Sequence, residues 1–534
     1  MFSSWRRLSL PIVLLIGTFL ASFLCILPSL HARIYLSPDE TANAVLMGTV
    51  LKNGSMKLAE PLLKQFPWVH PRSFVTQGEA LVPVGFVGLP LILSLFELIF
   101  GGLLVGFVIP LLVLSVVFPL WRLLRSWGKA TQLVAAFTWL SFPTVILYSN
   151  RSFFPNLPLV ALMVWVVYLV QSAKTSRRLL VAGLLFALAV IIRPIELFWM
   201  LPWLWLAWRV REERNLSWKS CLRALLLGSL IPLLGYLLVV WRTYGSPFAV
   251  GYFLRDTVVS EQCAVSSAQC ISAGGAVLPT AHRALLTVLW PFGFHPRDIW
   301  FNVVSYLFGI WLPWTVVSLF TALCLWAKKA ARPVILVSLW TLVGGLLVYG
   351  ETIYQDHVGV NVVSTGNSFL RYLLPLAPIL VAGFAIGVTT LARQLPARLR
   401  SLVIFMCLLA IVSLGLSISW NGDEGIQASV QDVQSYVAIR SAASRTLSPS
   451  AIVLSERSDK IFFPMFRTAS PVPSMTEAAR LAQTTTDEVA YFSTTMSDSE
   501  QQSWLQAGVE AQPLFTIGNQ TMYDLVVPTT CLQP

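Results

Sequence analysis

Apolar runs close to the length of a membrane-spanning helix recur from Leu8 to Trp420, and short loops rich in arginine and lysine separate them. That alternation constrains the fold more than any other feature. A bilayer core of about 30 Å takes a helix of about 20 apolar residues, whose backbone polar groups must be satisfied within the segment. Only 12% of the 534 residues are charged and mean hydropathy is +0.71, whereas soluble proteins carry about 25% charged residues. The expectation is an all-α polytopic membrane protein. The first run, 8–30, is long for a signal peptide, lacks a small-x-small cleavage site and is followed by further spans. It reads as a retained first helix.

A net charge of +12 suggests nucleic acid only until the charges are placed. Bases cluster in short loops: Arg6 and Arg7; Arg122, Arg125 and Lys129; Lys174, Arg177 and Arg178; Arg209 to Arg223; Lys328, Lys329 and Arg332; Arg393, Arg398 and Arg400. Those loops hold two acids, Glu212 and Glu213. This is the positive-inside pattern, which makes them cytoplasmic and excludes a nucleic-acid partner as the explanation. From Asn421 onward the balance reverses to twelve acids against six bases, so the tail belongs outside and the N-terminus inside.

With the basic loops fixed inside, 8–30 runs outward and 31–79 is a long external loop. The stretch 80–96 dips into the membrane or lies along its surface, and 102–120 crosses. Later spans fall near 131–148, 158–172, 179–192, 196–208, 224–241, 303–326, 333–349, 372–391 and 401–420. That makes about eleven transmembrane helices, an odd number, in a domain 1–420. Arg193-Pro194 separates two short spans that should form a tight hairpin. The tail, 421–534, reads as a small soluble extracytoplasmic α/β domain. Strands are expected at 451–456, 488–493 and 522–527, and helices at 476–484 and 497–507, the latter opened by a near capping box. With no glycine-rich phosphate loop, the tail reads as a structural or acceptor-positioning cap rather than a second catalytic centre. Cys263 and Cys270 share one external loop, where a disulfide suits an oxidising compartment and two unpaired thiols are the alternative.

Long, varied external loops point function outward. Ser37-Pro38-Asp39-Glu40 follows the first span, and carboxylates at a membrane boundary are costly unless used. The plainer role is to cap the helix expected at 41–51, with Asp39 at or near its N-cap and Glu40 in the first turn. The chemical role is that of a general base. Arginines on the outer side also need a reason: Arg72 after His70-Pro71, Arg151, Arg193, Arg297 after His295-Pro296, and Arg371 before Tyr372. A single arginine there snorkels. Several converging on one face favour an anionic lipid phosphate. The aromatic segment 290–297 suits an interfacial belt or a loop lining a lipid or sugar site. Neither His295, His357 nor any cysteine completes a metal-ligand spacing, which leaves a divalent metal open and no cofactor assigned.

Tyr35-Leu-Ser-Pro-Asp-Glu-Thr-Ala-Asn43, with Gly48 and Gly54 downstream, resembles the first-loop signature of the glycosyltransferase C superfold. It is most similar to bacterial relatives of the dolichyl-phosphate-mannose protein mannosyltransferases and lipid A aminoarabinose transferases. Arg193-Pro194, Tyr244-Gly-Ser-Pro-Phe248 with Gly251-Tyr252, and Arg371-Tyr-Leu-Leu-Pro375 resemble further features of that group. The likeness covers about 8–420. It implies a multi-pass protein of the bacterial cell membrane that transfers a sugar, with inversion, from a polyprenyl phosphate to an acceptor hydroxyl on the extracytoplasmic face. The acceptor would be a lipid, a glycan or a protein. Asp39 maps onto the catalytic acid/base residue, with Glu40 beside it. A second acid usual in the next external loop is replaced here by Asn156. Either Glu40 compensates, or Asn156, like Arg151 and Tyr372, contacts acceptor or sugar. Arg72, Arg371, Arg297 and His295 are the donor-phosphate candidates. A transporter or lipid flippase is the rival reading, although no internal repeat is present and the acids lie at one surface. A membrane scaffold whose tail binds envelope partners is the third.

Overall fold

The computed structural model describes residues 16–24, 27–151, 153–211, 217–249, 251–252, 254, 295–350, 363–422 and 424–528. Cys263, Cys270, His357 and the segment 290–294 lie outside these. The chain forms two compact units, each assembled from separate stretches. One comprises Met1–Ile26, Gly106–Gly235 and Ile271–Ser429; the other comprises Leu27–Val105, Tyr236–Cys270 and Val430–Pro534.

Among the described residues, four helices are long and apolar enough to cross a membrane: Trp218–Tyr244, Arg332–Tyr349, Leu374–Ala392 and the helix opening at Ala397. The number is seven if each of three bent pairs is one span. Shorter apolar helices, among them Gly88–Phe100, Val108–Leu123 and Asn156–Gln171, accompany them. Several expected spans are broken, and proline accounts for each break, since it donates no backbone hydrogen bond and excludes the preceding turn. The 131–148 span bends by 52° between Lys129–Ser141 and Pro143–Ser149. Ser176–Ile192 turns by 117° into Pro194–Arg209 at Arg193-Pro194. The expected single span 303–326 is two helices at 99°, divided at Trp311 with Pro313 in the second one's first turn. The expected crossing 102–120 is three short helices, Gly102–Val105, Val108–Ser115 and Val117–Leu123, with Pro110 and Pro119 inside the last two.

Helix packing in the first unit relies on small residues, as in membranes where close backbone approach replaces hydrophobic drive. A Cβ on Gly183 would lie 2.1 Å from the Leu225 carbonyl oxygen, and one on Gly228 would lie 2.0 Å from that of Leu180. Either substitution would force these helices apart. Buried hydroxyls add cross-links, such as Thr131 to Thr389 at 2.8 Å.

In the second unit the expected external loop is largely ordered structure. Helix Pro38–Asn53 is followed by β1 (Leu58–Ala59), β2 (Phe74–Gln77) and β3 (Ala80–Pro83). They form an antiparallel sheet of order β1-β3-β2, with Gln77 opposite Ala80 across a hairpin whose Gly78 has φ 63°. The stretch expected to lie along the membrane from residue 80 is therefore divided between β3 and the helix Gly88–Phe100. That helix buries Leu89 and Leu93 and exposes Leu95, Leu98, Ile99 and Phe100. Ala42, Leu46 and Val50 of helix Pro38–Asn53 share a core with Phe74, Val75, Leu81, Val82 and Phe463.

The tail contributes five strands: β4 (Ile452–Ser455), β5 (Arg467–Ala469), β6 (Val489–Thr494), β7 (Glu510–Ile517) and β8 (Gln520–Val526). Their order is β5-β4-β6-β8-β7. β4 runs parallel to β5 and β6, and the β6–β8 and β8–β7 pairs are antiparallel. β4, β6, β8 and the helices Met475–Thr484 and Asp498–Gln506 match the expected elements within two residues or so. β5 was missed because it is three residues long, and β7 because it is a polar edge strand carrying Pro513. Phe66, Trp68 and Val69 are buried among the tail's own Ile452, Leu454, Leu481 and Trp504.

Candidate active site

Pro38 supplies a preset φ for the first helical position, and the Ser37 hydroxyl caps the helix by accepting from the Asp39 amide at 3.3 Å. The cap itself is Ser37, with Asp39 two places further in and Glu40 next, near the cap and in the first turn as expected. Their adjacency on a helix turns the two carboxylates apart by about 100°. Asp39 is exposed, and its Oδ1 accepts from the Ser73 hydroxyl at 2.8 Å. Glu40 is 3% exposed. It lies near Tyr35, whose phenol is pushed above its ordinary range by burial and further by the charge on Glu40. Both helix positions favour a negative charge, but only Asp39 presents one outward. Ser73 was not among the candidates: one serine in a loop carries no signal until β2 and β3 fold it back, with its carbonyl accepting from the Val84 amide.

Arg72 turns to the tail. Its Nε and Nη2 each lie 2.8 Å from Asp459 Oδ1, its backbone amide donates to Oδ2 at 2.9 Å, and Nη2 also donates to the Arg457 carbonyl. A guanidinium so committed is a poor candidate for a lipid phosphate, the role expected of it.

In the other unit, three of the outward arginines are interleaved with aromatic rings. Arg151 and Arg371 both stack on Phe154, with guanidinium carbons 4.4 and 4.7 Å from the ring centroid. Arg371 and Arg193 lie 5.1 and 5.0 Å from the Tyr372 ring, which stacks on Tyr349 at 4.3 Å. Arg193 Nη2 donates to the Tyr349 hydroxyl at 3.0 Å, and that hydroxyl donates to Glu196 Oε1 at 2.7 Å. Arg193 Nε is 3.2 Å from the same carboxylate, which also accepts from Trp199. The segment before Arg371 is held by Tyr148, whose hydroxyl reaches the carbonyls of Gly366 and Asn367 at 3.2 Å. Stacking uses the flat face of a guanidinium and leaves its N–H fork in the plane, where carboxylate and phosphate oxygens are gripped. This group thus joins Arg151, Arg193, Arg371 and Tyr372 from the sequence candidates, and has cations exceeding anions by three to one among the residues named.

Asn156 opens helix Asn156–Gln171, two residues past Phe154, and is 4% exposed. Its Oδ1 is buried without a hydrogen-bond partner among the described residues. His295 and Arg297 are exposed at the start of helix Pro296–Asn302, and no hydrogen bond, ion pair or ring contact joins them to the arginine group among the described residues. Nor do any three His, Cys, Asp or Glu side chains there cluster as a metal site.

No family model matches this sequence, and no curated protein does. Solved structures do. ArnT from Cupriavidus metallidurans bound to undecaprenyl phosphate aligns with TM-score 0.50 and 12% identity, over 98% of this chain and 99% of that one. The same protein in the apo state gives TM-score 0.47 and 13% identity over 97% and 99%. The Archaeoglobus fulgidus oligosaccharyltransferase in the apo form gives 0.46 and 13% over 90% of this chain and 70% of that one. At such identity the first of these speaks to the fold and not to the substrate. The helical body and terminal sheet region of this chain share the overall fold of ArnT.

Proposed function

We propose that this protein is an integral-membrane glycosyltransferase that moves a sugar from a polyprenyl-phosphate donor to an acceptor hydroxyl on the extracytoplasmic face of the bacterial cell membrane, with inversion. The observation that carries the reading is Asp39: an exposed carboxylate on the first turn of a capped helix, with one oxygen fixed by the Ser73 hydroxyl. The acceptor oxygen attacks the anomeric carbon as the bond to the phosphate oxygen breaks. Asp39 takes the acceptor proton, and polyprenyl phosphate leaves as the anion. A phosphate leaving group requires no general acid, so one base and a set of cations suffice.

Arg371 and Arg151 are assigned to the anionic phosphate, with the Phe154 ring beneath both guanidinium groups and Tyr372 flanking Arg371, while Arg193, held by Glu196 and the Tyr349 hydroxyl, supports the Tyr372 ring. Buried Asn156 Oδ1 is assigned to a hydroxyl of the sugar or acceptor, since a buried acceptor gains most from a donor brought by a ligand. Glu40 supports Asp39 from within the fold. His295 and Arg297, exposed, are assigned to the donor's outer approach. Residues 1–420 form the transferase domain with the N-terminus cytoplasmic, and 421–534 the extracytoplasmic one. A fold shared with a protein solved with undecaprenyl phosphate supports a lipid-linked donor.

The test is Asp39→Asn, assayed in membranes with a polyprenyl-phosphate-linked sugar. General-base loss lowers kcat by about 10²–10⁴-fold, with donor binding retained. Full transfer by a folded variant overturns the assignment.

A further inference from the structure

We infer that the carboxyl-terminal segment positions the base, with Asp459 acting on Asp39 through Arg72 and Ser73. This rests on the reading of Asp39 as general base. Asp459 is 1% exposed and both its oxygens are occupied by Arg72, through the backbone amide, Nε and Nη2. The next residue, Ser73, donates its hydroxyl to Asp39 Oδ1 at 2.8 Å. Fixing the backbone of residue 72 therefore fixes the donor that orients the carboxylate.

The same short stretch of tail holds the other side of Asp39. Lys460 Nζ donates to the Leu36 carbonyl at 2.8 Å, one residue before the Ser37 cap. Phe463 packs on Phe74 with ring centroids 5.2 Å apart. Three contacts of the tail within five residues, at 459, 460 and 463, thus reach residues 72 and 74, which flank Ser73, and residue 36, three before Asp39.

The position of this grip in the tail is informative. In open sheets with parallel strands, ligands bind beyond the carboxyl ends, where neighbouring connections diverge. β4 is such a strand, with β5 on one side and β6 on the other. Beyond its end the Arg457 carbonyl accepts from Arg72, and the Ser470 amide, following β5, donates to the His70 carbonyl at 3.0 Å. The edge that would take a ligand takes residues 70–72 instead. Simple attachment would not need this: Phe66, Trp68 and Val69 already bury apolar surface in the tail's core. A buried ion pair is seldom the cheaper way to add stability, whereas it does specify geometry.

The experiment measures kcat and donor KM of polyprenyl-phosphate-sugar transfer for Asp459→Asn, Ser73→Ala and the double variant in the full-length protein. Misplacement of a reacting group costs about tenfold to hundredfold, so Asp459→Asn should lower kcat by that range at unchanged donor KM. Losing the Ser73 donor leaves the carboxylate without its orienting hydrogen bond, so Ser73→Ala should lower kcat over the same range at unchanged donor KM. Their effects should not multiply, because both act through one hydrogen bond. Wild-type kcat in folded Asp459→Asn overturns the proposal, as do multiplicative effects. Should Asp459→Asn fail to fold, Lys460→Met with Ser73→Ala carries the same comparison. Loss of transfer in Asp39→Asn without these losses of kcat in Asp459→Asn and Ser73→Ala rejects the positioning role alone; full transfer in Asp39→Asn rejects the base itself.

Discussion

Asp39 and Glu40 are the same chemistry in adjacent positions, yet the fold gives them opposite environments. Asp39 is exposed and oriented by Ser73, and Glu40 is enclosed near Tyr35. A motif read along the chain identifies the pair; the direction of the helix face decides which one is exposed. The arginines show the same limit. Arg72 and Arg371 looked equivalent as outward cations, but Arg72 is held by a buried carboxylate and Arg371 lies between Phe154 and Tyr372. The stacked guanidinium is where substitution should be most informative. Arg371→Lys keeps the charge but loses both the planar fork and its stacking. The expected result is a rise of about tenfold in donor KM, from a lost bidentate grip. Unchanged KM would remove Arg371 from phosphate binding.

Elements were legible where local pattern and length set them. The helix Asp498–Gln506 was readable from Ser497-Asp498-Ser499-Glu500, and its capping box is present, with Glu500 Oε2 accepting from the Ser497 amide at 2.8 Å and hydroxyl at 2.9 Å. These bonds hold the Glu500 carboxyl below its ordinary 4.5. A depressed pKa means the folded state binds its proton less readily than the unfolded state. The cap's stabilisation is therefore present above the ordinary carboxylate range and lost as pH falls through the lower, folded value. Thermal melts of Glu500→Gln should show reduced stability at neutral pH, converging with the parent protein as the solution becomes more acidic. A difference that grows on acidification would contradict this. The broken helices were less legible, because a proline inside an apolar run gives the place of a break but not its angle: 52° at Pro143 and 117° at Pro194.

For the molecule as a whole, the charge distribution makes its own prediction. Basic loops in the body and a net-acidic tail predict that the tail lies on the side of the membrane opposite those loops. Gln501 is exposed on the helix Asp498–Gln506, so Gln501→Cys should react with a membrane-impermeant maleimide in intact cells whose outer barrier is opened. Labelling only after lysis would reverse the orientation and remove Asp39 from the outer face. By itself the sequence determined the membrane class, the Asp-Glu motif and most of the tail's strands, since these depend on run length, periodicity and capping within a few neighbours. Tertiary structure alone decided which carboxylate faces outward, that Arg151, Arg193 and Arg371 gather around shared rings, and that Asp459 holds Arg72 across 387 positions of chain. Such contacts leave no local periodicity to read, because the two partners become neighbours only when the chain closes the loop between them.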